Sequence, residues 1–485
     1  MARTELEWLK HLIRCHDGEK PDLRLLDSYY EGEQPLSYLA PELEAEMDAR
    51  IRQVVVNWPQ LVVDSLEERL DVEGFRFPGE AEADGELWRI WQANRLDAGS
   101  HQGHLDALAM RRAYVIVGAR EDDPDTPLIT VESAMDVFAE HDPRTGALAA
   151  AVKRWCEELP DGSEIDHATL YLPQSTSWWT KDKAGAWVED VDAEGESRRD
   201  SHGLGEVPVV PLANRARLKK PGGVSELKAV IPLSDAACKI ATDMMVSAEY
   251  HATPRRVAFG FGEEDFQDQD GRPVSAFSRI IGRVWATERR RGSGEDGGAD
   301  VVQFPEAQLK NFHDTINQLA RLVASLAGLP PHFLGYSSEN PASADAIRSS
   351  ESRLVKRAER RQREWGEAWE QVMRLALRIR DGVWDPRVMS LETIWRDAST
   401  PTVAQKADAA VKLHTAKIVP LRQTREDMGY TQAQIARMEE ADEAAAQSAM
   451  ARILAGDLAA LEAGPKPPAE DEDEDEPTSE PVDAA

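Results

Sequence analysis

The sequence predicts an α+β fold that is mainly helical, with two β-rich blocks let into it. Apolar residues recur every three or four positions through most of the chain, which is helical spacing. Between about residues 114 and 212 they give way to short β-branched runs separated by turns. A second strand-and-turn insert, between Pro254 and Pro305, is flanked by a helix on either side.

In chain order, Leu6, Leu9, Leu12 and Ile13 predict a first helix. Leu23, Leu26 and Tyr30 predict a second, broken by Gly32 and Pro35. A helix over Leu43–Ile51 leads through Val54–Pro59 into the amphipathic run Leu61–Leu70, which Gly74 closes. Helical patterns follow near Leu87–Asn94 and Leu96–Arg112. The texture then turns to strands at Tyr114–Gly118, Leu128–Val131, Ala149–Trp155, Ala168–Leu172, Ser177–Lys181 and Trp187–Val191. Asp161-Gly162 and Lys183-Ala184-Gly185 suit hairpin turns, and Val207–Leu212 ends the block.

Ser234-Asp235 predicts the cap of a helix running to about His251, with Ile240, Met244, Met245 and Ala248 inward and Pro254 as its stop. The insert offers strands at Arg256–Gly260, Arg283–Ala286 and Val301–Phe304. Pro305 suits a first helical turn, and Leu309, Phe312, Ile316, Leu319, Leu322/Val323 and Leu326 mark one apolar face. Gly328 and Pro330-Pro331 end that helix. After the loop His332–Asn340, Asn340-Pro341 opens a second helix that no proline interrupts until about Arg380. At ~1.5 Å per residue it reaches roughly 50–60 Å, a length that suggests a partner subunit or a structural spine. Its first half is basic, with Arg348, Arg353, Lys356, Arg357, Arg360, Arg361 and Arg363; its second half carries the stripe Trp365, Trp369, Val372, Met373 and Ala376. Ser390–Trp395 is strand-like, and helical patterns return at Val403–Thr415, Thr424–Met428 and Gln432–Ala463.

The chain's 485 residues suffice for two to four domains. No run of eighteen apolar residues occurs and the first residues lack a signal-peptide core, so a soluble, non-secreted protein with no membrane is expected. Cys15, Cys156 and Cys238 are odd in number and far apart; reduced thiols are expected rather than a disulfide framework or zinc cluster. The formal net charge of −31 argues against a protein that clings to DNA, though not against one past which DNA slides. The acidic run Glu470–Glu476, set among prolines, reads as a disordered tail.

No phosphate-binding GxxxxGK[ST] and no HExxH occur. Gly292–Gly297 matches GxGxxG, but in an acidic loop rather than at a strand-to-helix turn, and is read as coincidence. His101 and His104, with Asp97 and Asp106, read as surface residues of a helix rather than metal ligands. No catalytic grouping stands out, and neither an enzymatic activity, a cofactor nor a metal is expected. For the basic half of the long helix, a salt-bridged surface with Glu351, Glu359 and Glu364 competes with contact to DNA or to an acidic neighbouring subunit.

Several stretches resemble portal proteins of tailed bacteriophages, especially those of actinobacteriophages. Val56–Leu70, Gly205–Leu212 and Leu233–Ala237 carry part of the likeness. Leu326–Gly335, followed by Asn340–Ile347, carries most of it. The likeness extends from about residue 20 to 440 and departs in the acidic tail; order and spacing carry it rather than any single motif. It implies a portal-type fold assembled as a ring, usually twelve-fold, at one capsid vertex. It further implies a wing (1–233), stem helices (234–252 and 306–328) around a clip (253–305), and a tunnel loop (329–343). A long wing helix with return strand (344–395), a helical crown (396–463) and the acidic tail (464–485) complete the expected organisation.

The tunnel loop's Tyr336, Ser337, Ser338, Glu339, Asn340, Pro341 and Ser343 are then expected at the DNA channel, with Arg348, Arg353, Lys356, Arg357 and Arg360 as DNA- or subunit-contacting candidates. Implied partners are double-stranded DNA, the terminase large subunit, a head-completion or adaptor protein, and the major capsid and scaffolding proteins. The implied location is the virion, after assembly in the host cytoplasm. The competing readings are another head–tail connector or capsid assembly protein, which predicts no central channel, and an enzyme acting on nucleic acid, which a metal-dependent nuclease assay would expose.

Overall fold

The computed structural model describes residues 3–35, 54–80, 83–191, 195–251, 256–259, 300–303, 309–335, 344–399, 403–430 and 434–447. The expected helix at 43–51, most of the insert with its GxGxxG match, and the acidic tail lie outside the described residues. Helix and sheet are mixed, as expected. The chain divides into two units, Met1–Ser399 and Thr400–Ala485.

The first unit opens with α1, Glu5–Glu31, a single helix of 27 residues where the sequence suggests two. Thr4 and Glu7 form a reciprocal capping box at its start, and Gly32 closes it at φ 75° in the left-handed region. Pro21 lies inside and does not break it. Leu9 and Leu12 before the proline, and Leu23 and Tyr29 after it, are all buried, so packing at both ends outweighs one lost backbone hydrogen bond.

Asn57 caps α2 (Trp58–Glu67) by accepting from Gln60 N. Gly74 does not close this unit: it lies within β1, Val72–Arg76, at a register irregularity. A Cβ there would meet Ala83 Cβ at 2.9 Å, so the close approach of chain, not a turn, requires the glycine. Helices α3 (Gly85–Ala93) and α4 (Leu96–Met110) precede β2 (Arg112–Gly118).

β2 pairs antiparallel with both β3 (Leu128–Ser133) and β10 (Val209–Ala213). A six-stranded antiparallel sheet fills the chain between them. It comprises β4 (Val137–His141), β5 (Leu148–Glu158), β6 (Glu164–Tyr171), β7 (Thr176–Lys181), β8 (Trp187–Glu189) and β9 (Arg199–Asp200), which pairs with β7. The two expected hairpins are present, with Gly162 and Gly185 at positive φ. β4 is not expected from the sequence, being a run of five residues too short to stand out.

A 3₁₀ turn, Glu226–Ala229, leads directly into α5, Ile231–His251. Ser234-Asp235 is therefore not the cap. Ser234 is fully buried and donates to Val56 O at 2.8 Å, and Asp235 accepts from the Tyr29 hydroxyl at 2.9 Å. β11 (Arg256–Phe259) and β12 (Asp300–Gln303) pair antiparallel. Then come α6 (Lys310–Ala327), the 38-residue α7 (Ala344–Asp381) and β13 (Glu392–Trp395), which pairs with β1.

Two apolar cores hold this unit. The smaller lies between the first half of α1 and the six-stranded sheet, through Leu9, Leu12, Val152, Leu170 and Trp179. The larger joins α2, α3, α4, β2, β3 and α7, with Trp91, Trp365 and Trp369 fully buried. The second unit contains α8 (Val403–Thr415), α9 (Leu421–Asp427) and a helix over 434–447. Arg422 and Arg425 pair with Glu439 and Asp442 there, over the buried Ile435.

Candidate functional site

The sequence points to the turn from α6 into α7 and to the basic half of α7. The described structure fixes both ends of the loop between these helices. α6 ends at Gly328 (φ 70°), and Leu329 N returns to Ala324 O at 3.0 Å. Arg353 of α7 donates from Nη1 to Ser325 O at 2.7 Å. A guanidinium on a terminal carbonyl satisfies an orphan acceptor and complements the negative end of the helix dipole. A 3₁₀ turn, Pro331–Leu334, follows, and Phe333 packs on the main core. Tyr336, Ser337, Ser338, Glu339, Asn340, Pro341 and Ser343 lie outside the described residues. Arg348 falls in the first turns of α7.

The basic half of α7 is not one uniform solvated face. Leu354, Ala358, Arg361, Trp365, Trp369, Val372, Met373 and Ala376 are buried and recur at helical spacing, so the apolar stripe begins well before Trp365. Lys356 and Arg360 are exposed. Arg357 and Arg361 turn inward to Glu226, whose side chain is 1% exposed. Arg361 Nη2 reaches Glu226 Oε1 at 3.0 Å, and Arg357 Nη2 reaches Oε2. Arg215, half exposed, approaches Oε2 at 3.4 Å, and Asn214 Nδ2 donates to Oε1 at 3.3 Å. Burial alone would push the Glu226 carboxyl up; Arg357, Arg361 and Arg215 outweigh it and hold the carboxyl below its ordinary range.

This clamp depends on a tight backbone path. Gly223 (φ 80°) has no room for a Cβ, which would stand 2.4 Å from Arg111 O and 2.6 Å from Asn214 O. Asn214 in turn donates from Nδ2 to Val224 O at 2.8 Å. The Glu226 carboxylate is thereby delivered to α7 by chain that cannot shift sideways.

Farther along α7, His104 of α4 occupies the centre of an aromatic cluster. It is fully buried, which corrects the expectation of a surface histidine. Its ring stacks on Trp365 with centroids 4.7 Å apart, and Trp369 Nε1 donates to its Nε2 at 3.0 Å. Accepting at Nε2 makes the ring the neutral Nδ1–H tautomer. Burial pushes its pKa down to about 3, with His101 adding to the fall and the Leu70 carbonyl opposing it. His101 does lie near the surface, against Glu67 and Asp71.

The long helix thus finds partners in its own chain: α2, β2, β10 and β13 all pack on it. Its length needs no second subunit over this stretch. The two helices around the insert behave differently. On α6 the buried positions are Ala320, Val323, Ala324 and Ala327, whereas Leu322 and Leu326, expected inward, are 43% and 54% exposed. On α5, Ala237, Cys238 and Ala241 face inward and Met245 is 48% exposed, again against expectation. Among the described residues, Leu322 and Leu326 leave an open apolar patch on α6, and Met245 is exposed on α5.

Glu226 and His104 are the organising residues that sequence reasoning missed. Arg361 was the available signal: an arginine on a stripe of buried positions must be paired with a buried acid. Nothing local marks Glu226 as that acid.

The chain matches the family profile described as "Phage portal protein, SPP1 Gp6-like" over residues 9–451. A portal protein of Mycobacterium phage D29 is 38% identical over 442 residues, covering 89% of this chain and 87% of the relative. A portal protein of Mycobacterium phage L5 is 37% identical over 432 residues, covering 87% and 85%. Among solved structures, a chain from the "Neck of empty GTA particle computed with C6 symmetry" aligns over 81% of this chain and 95% of its own length, with 13% identity and a TM-score of 0.45.

Proposed function

The chain belongs to the SPP1 Gp6-like phage portal protein family and has the portal function at the capsid vertex, and from that premise we propose how it acts. Copies assemble into a ring, and the ring is the channel through which terminase packages double-stranded DNA and through which the DNA later leaves. Head-completion and tail proteins dock on it, and major capsid and scaffolding proteins surround it in the virion, after assembly in the host cytoplasm. The role is structural, and catalysis is left to the motor.

The observation that carries this reading is the extent of the likeness, which reaches from α1 to the second unit at better than a third identity. Within it, α5 and α6 are assigned to the stem, the chain between them to the clip, and residues 329–343 to the tunnel loop. Residues 1–233, with α7 and β13, are assigned to the wing, and 396–463 to the crown. Support for the stem assignment comes from Met245, Leu322 and Leu326, apolar side chains that a single chain leaves in water and that a neighbouring subunit would cover. Arg353 supports the loop assignment, because it ties the end of α6 to α7 and so sets the span the loop must bridge. Among the described residues, no helix is long and apolar enough to cross a membrane.

Negative-stain electron microscopy with native mass spectrometry tests the ring. Rings with a central hole of DNA width are expected, and a clean monomer or dimer at high concentration would overturn it. Deleting Ser337–Asn340 tests the loop. Rings should form and packaging should stop; normal packaging by the deletion would remove the tunnel-loop assignment.

A further inference from the structure

His11 and Cys15 stand four residues apart on α1, and so on one face of the helix. That face packs on β4 and β5. On β4, Val137 and Ala139 point into the main core, while Phe138 and Glu140 alternate to the other side, toward α1. Phe138 stacks on His16 of α1, and Glu140, two residues on, arrives at His11 and Cys15. His11 Nε2 and Glu140 Oε2 are in direct contact, and Cys15 Sγ lies 3.8 Å from the same nitrogen. The three donor atoms all fall within 4.8 Å of one another.

We propose that His11, Cys15 and Glu140 bind a zinc-class divalent ion that fastens α1 to β4. Three features support it. Bonds of about 2.0–2.1 Å to nitrogen and about 2.3 Å to sulfur place those donors about 3.5–3.6 Å apart at tetrahedral corners, so the sulfur–nitrogen distance of 3.8 Å needs to close by only a few tenths of an ångström. The half-exposed Glu140 carboxylate has room to draw back from His11 to the same spacing. Thiolate, imidazole and carboxylate together suit zinc or cobalt and disfavour magnesium and calcium, which take oxygen alone. Third, Arg3 approaches Glu140 at 3.6 Å while lying over the Trp8 ring, an outer partner that orients the carboxylate.

Three protein ligands leave a fourth position for water, and the partial exposure of His11 and Glu140 provides the way in. Binding displaces the Cys15 thiol proton to solvent as the thiolate joins the ion. The site is independent of the portal reading, since it rests on α1 and β4 alone. It lies where the smaller core meets the first half of α1, so the ion would hold that helix on the sheet.

The test is an anaerobic titration of the untagged, chelator-treated full chain with cobalt(II). One cobalt per chain should give a thiolate-to-cobalt charge-transfer band with four-coordinate ligand-field bands, and zinc should displace it. Cys15→Ser should abolish the charge-transfer band, His11→Ala should weaken binding more than about tenfold, and Cys156→Ser should change nothing. Circular dichroism identifies any variant that has not folded. A second measurement needs no variant: zinc should slow alkylation of Cys15 in the wild-type chain, read by peptide mass spectrometry, and leave Cys156 unprotected. No band with the wild-type chain, a band that survives Cys15→Ser, or equal alkylation with and without zinc would each overturn the site.

Discussion

Replacing Glu226 by glutamine tests the clamp on the long helix most directly. The change keeps side-chain shape and removes one negative charge from a position whose side chain is 1% exposed. It leaves Arg361, 6% exposed, and Arg357, 18% exposed, facing each other without their shared carboxylate. Among the described residues, the carboxylate left to Arg361 is Glu364, at 3.2 Å and 44% exposed. Breaking a buried pair from one side costs about 3–5 kcal/mol, because a desolvated charge is left behind. Arg215 is half in water and adds at most about 1 kcal/mol. The expected loss is therefore about 3–5 kcal/mol, read from urea unfolding of the dissociated chain by tryptophan fluorescence. Adding Arg361→Met should recover part of it, with a coupling of about 0.5–3 kcal/mol in a double-mutant cycle. A Glu226→Gln chain within about 0.5 kcal/mol of wild type, or a coupling near zero, would refute the argument.

Four further outcomes follow from the same structure. His104, depressed to about 3, and His16, depressed to about 4 chiefly by burial, both lie below the ordinary 6.5. Their contribution is complete above pH 6.5 and is lost as pH falls, His16's by about 4 and His104's by about 3, at about 1.4 kcal/mol per unit each. Urea midpoints across that window should fall less steeply for His104→Gln or His16→Gln; slopes equal to wild type would sink the assignment. Gly223→Ala, pressed on two backbone oxygens, should cost at least about 2–3 kcal/mol, against about 1–2 for Gly79→Ala, which has the same sign of φ and open space. Equal urea midpoints for the two would contradict this. Leu326→Glu, on the open face of α6, should leave the isolated chain within about 0.5 kcal/mol of wild type and reduce ring yield in native mass spectrometry, unless that face is not an interface. Lys356→Gln with Arg360→Gln, both exposed, should spare stability and lower the salt slope of DNA retention by at most about two charges, whereas Arg357→Gln should do the reverse.

Most of the fold was legible because periodicity and turn chemistry act locally. Four strands of the six-stranded sheet, both hairpins, the stop at Gly328 and the apolar stripe of α7 follow from spacing, glycine and β-branching. The misreadings share a physical cause. Pro21 and Ser234 carry strong local signals, a helix breaker and a cap, that tertiary packing overrides. His104 carries no local signal at all, since nothing within α4 announces the tryptophans that arrive from α7. Leu322, Leu326 and Met245 show the opposite effect. The apolar pattern is read as an inward face, but pattern alone does not say whether the chain itself does the covering, and here these three side chains stay exposed.

The same distinction decides how the positive charge should be understood. A chain with 57 lysines and arginines against 88 acidic residues has few cations to offer a polyanion. Several that the sequence places on one basic helix are engaged inside the chain: Arg353 on Ser325 O, and Arg357 and Arg361 on Glu226. Elsewhere Arg112 meets Glu19, Arg69 meets Glu351 and Arg374 meets Glu370. A one-to-one arginine–carboxylate pair has no net charge, so it attracts passing phosphates weakly; Arg357 and Arg361, which share Glu226, are instead withheld by facing inward. Lys356 and Arg360 remain exposed on α7, but the excess of acidic over basic residues favours repulsion of a duplex over sticking. If the chain lines a DNA channel, as proposed, arginines serve better there as internal fasteners than as hands on the backbone. Arg353, Arg357 and Arg361 are therefore best understood as the residues that fasten the end of α6 and the Glu226 turn to α7.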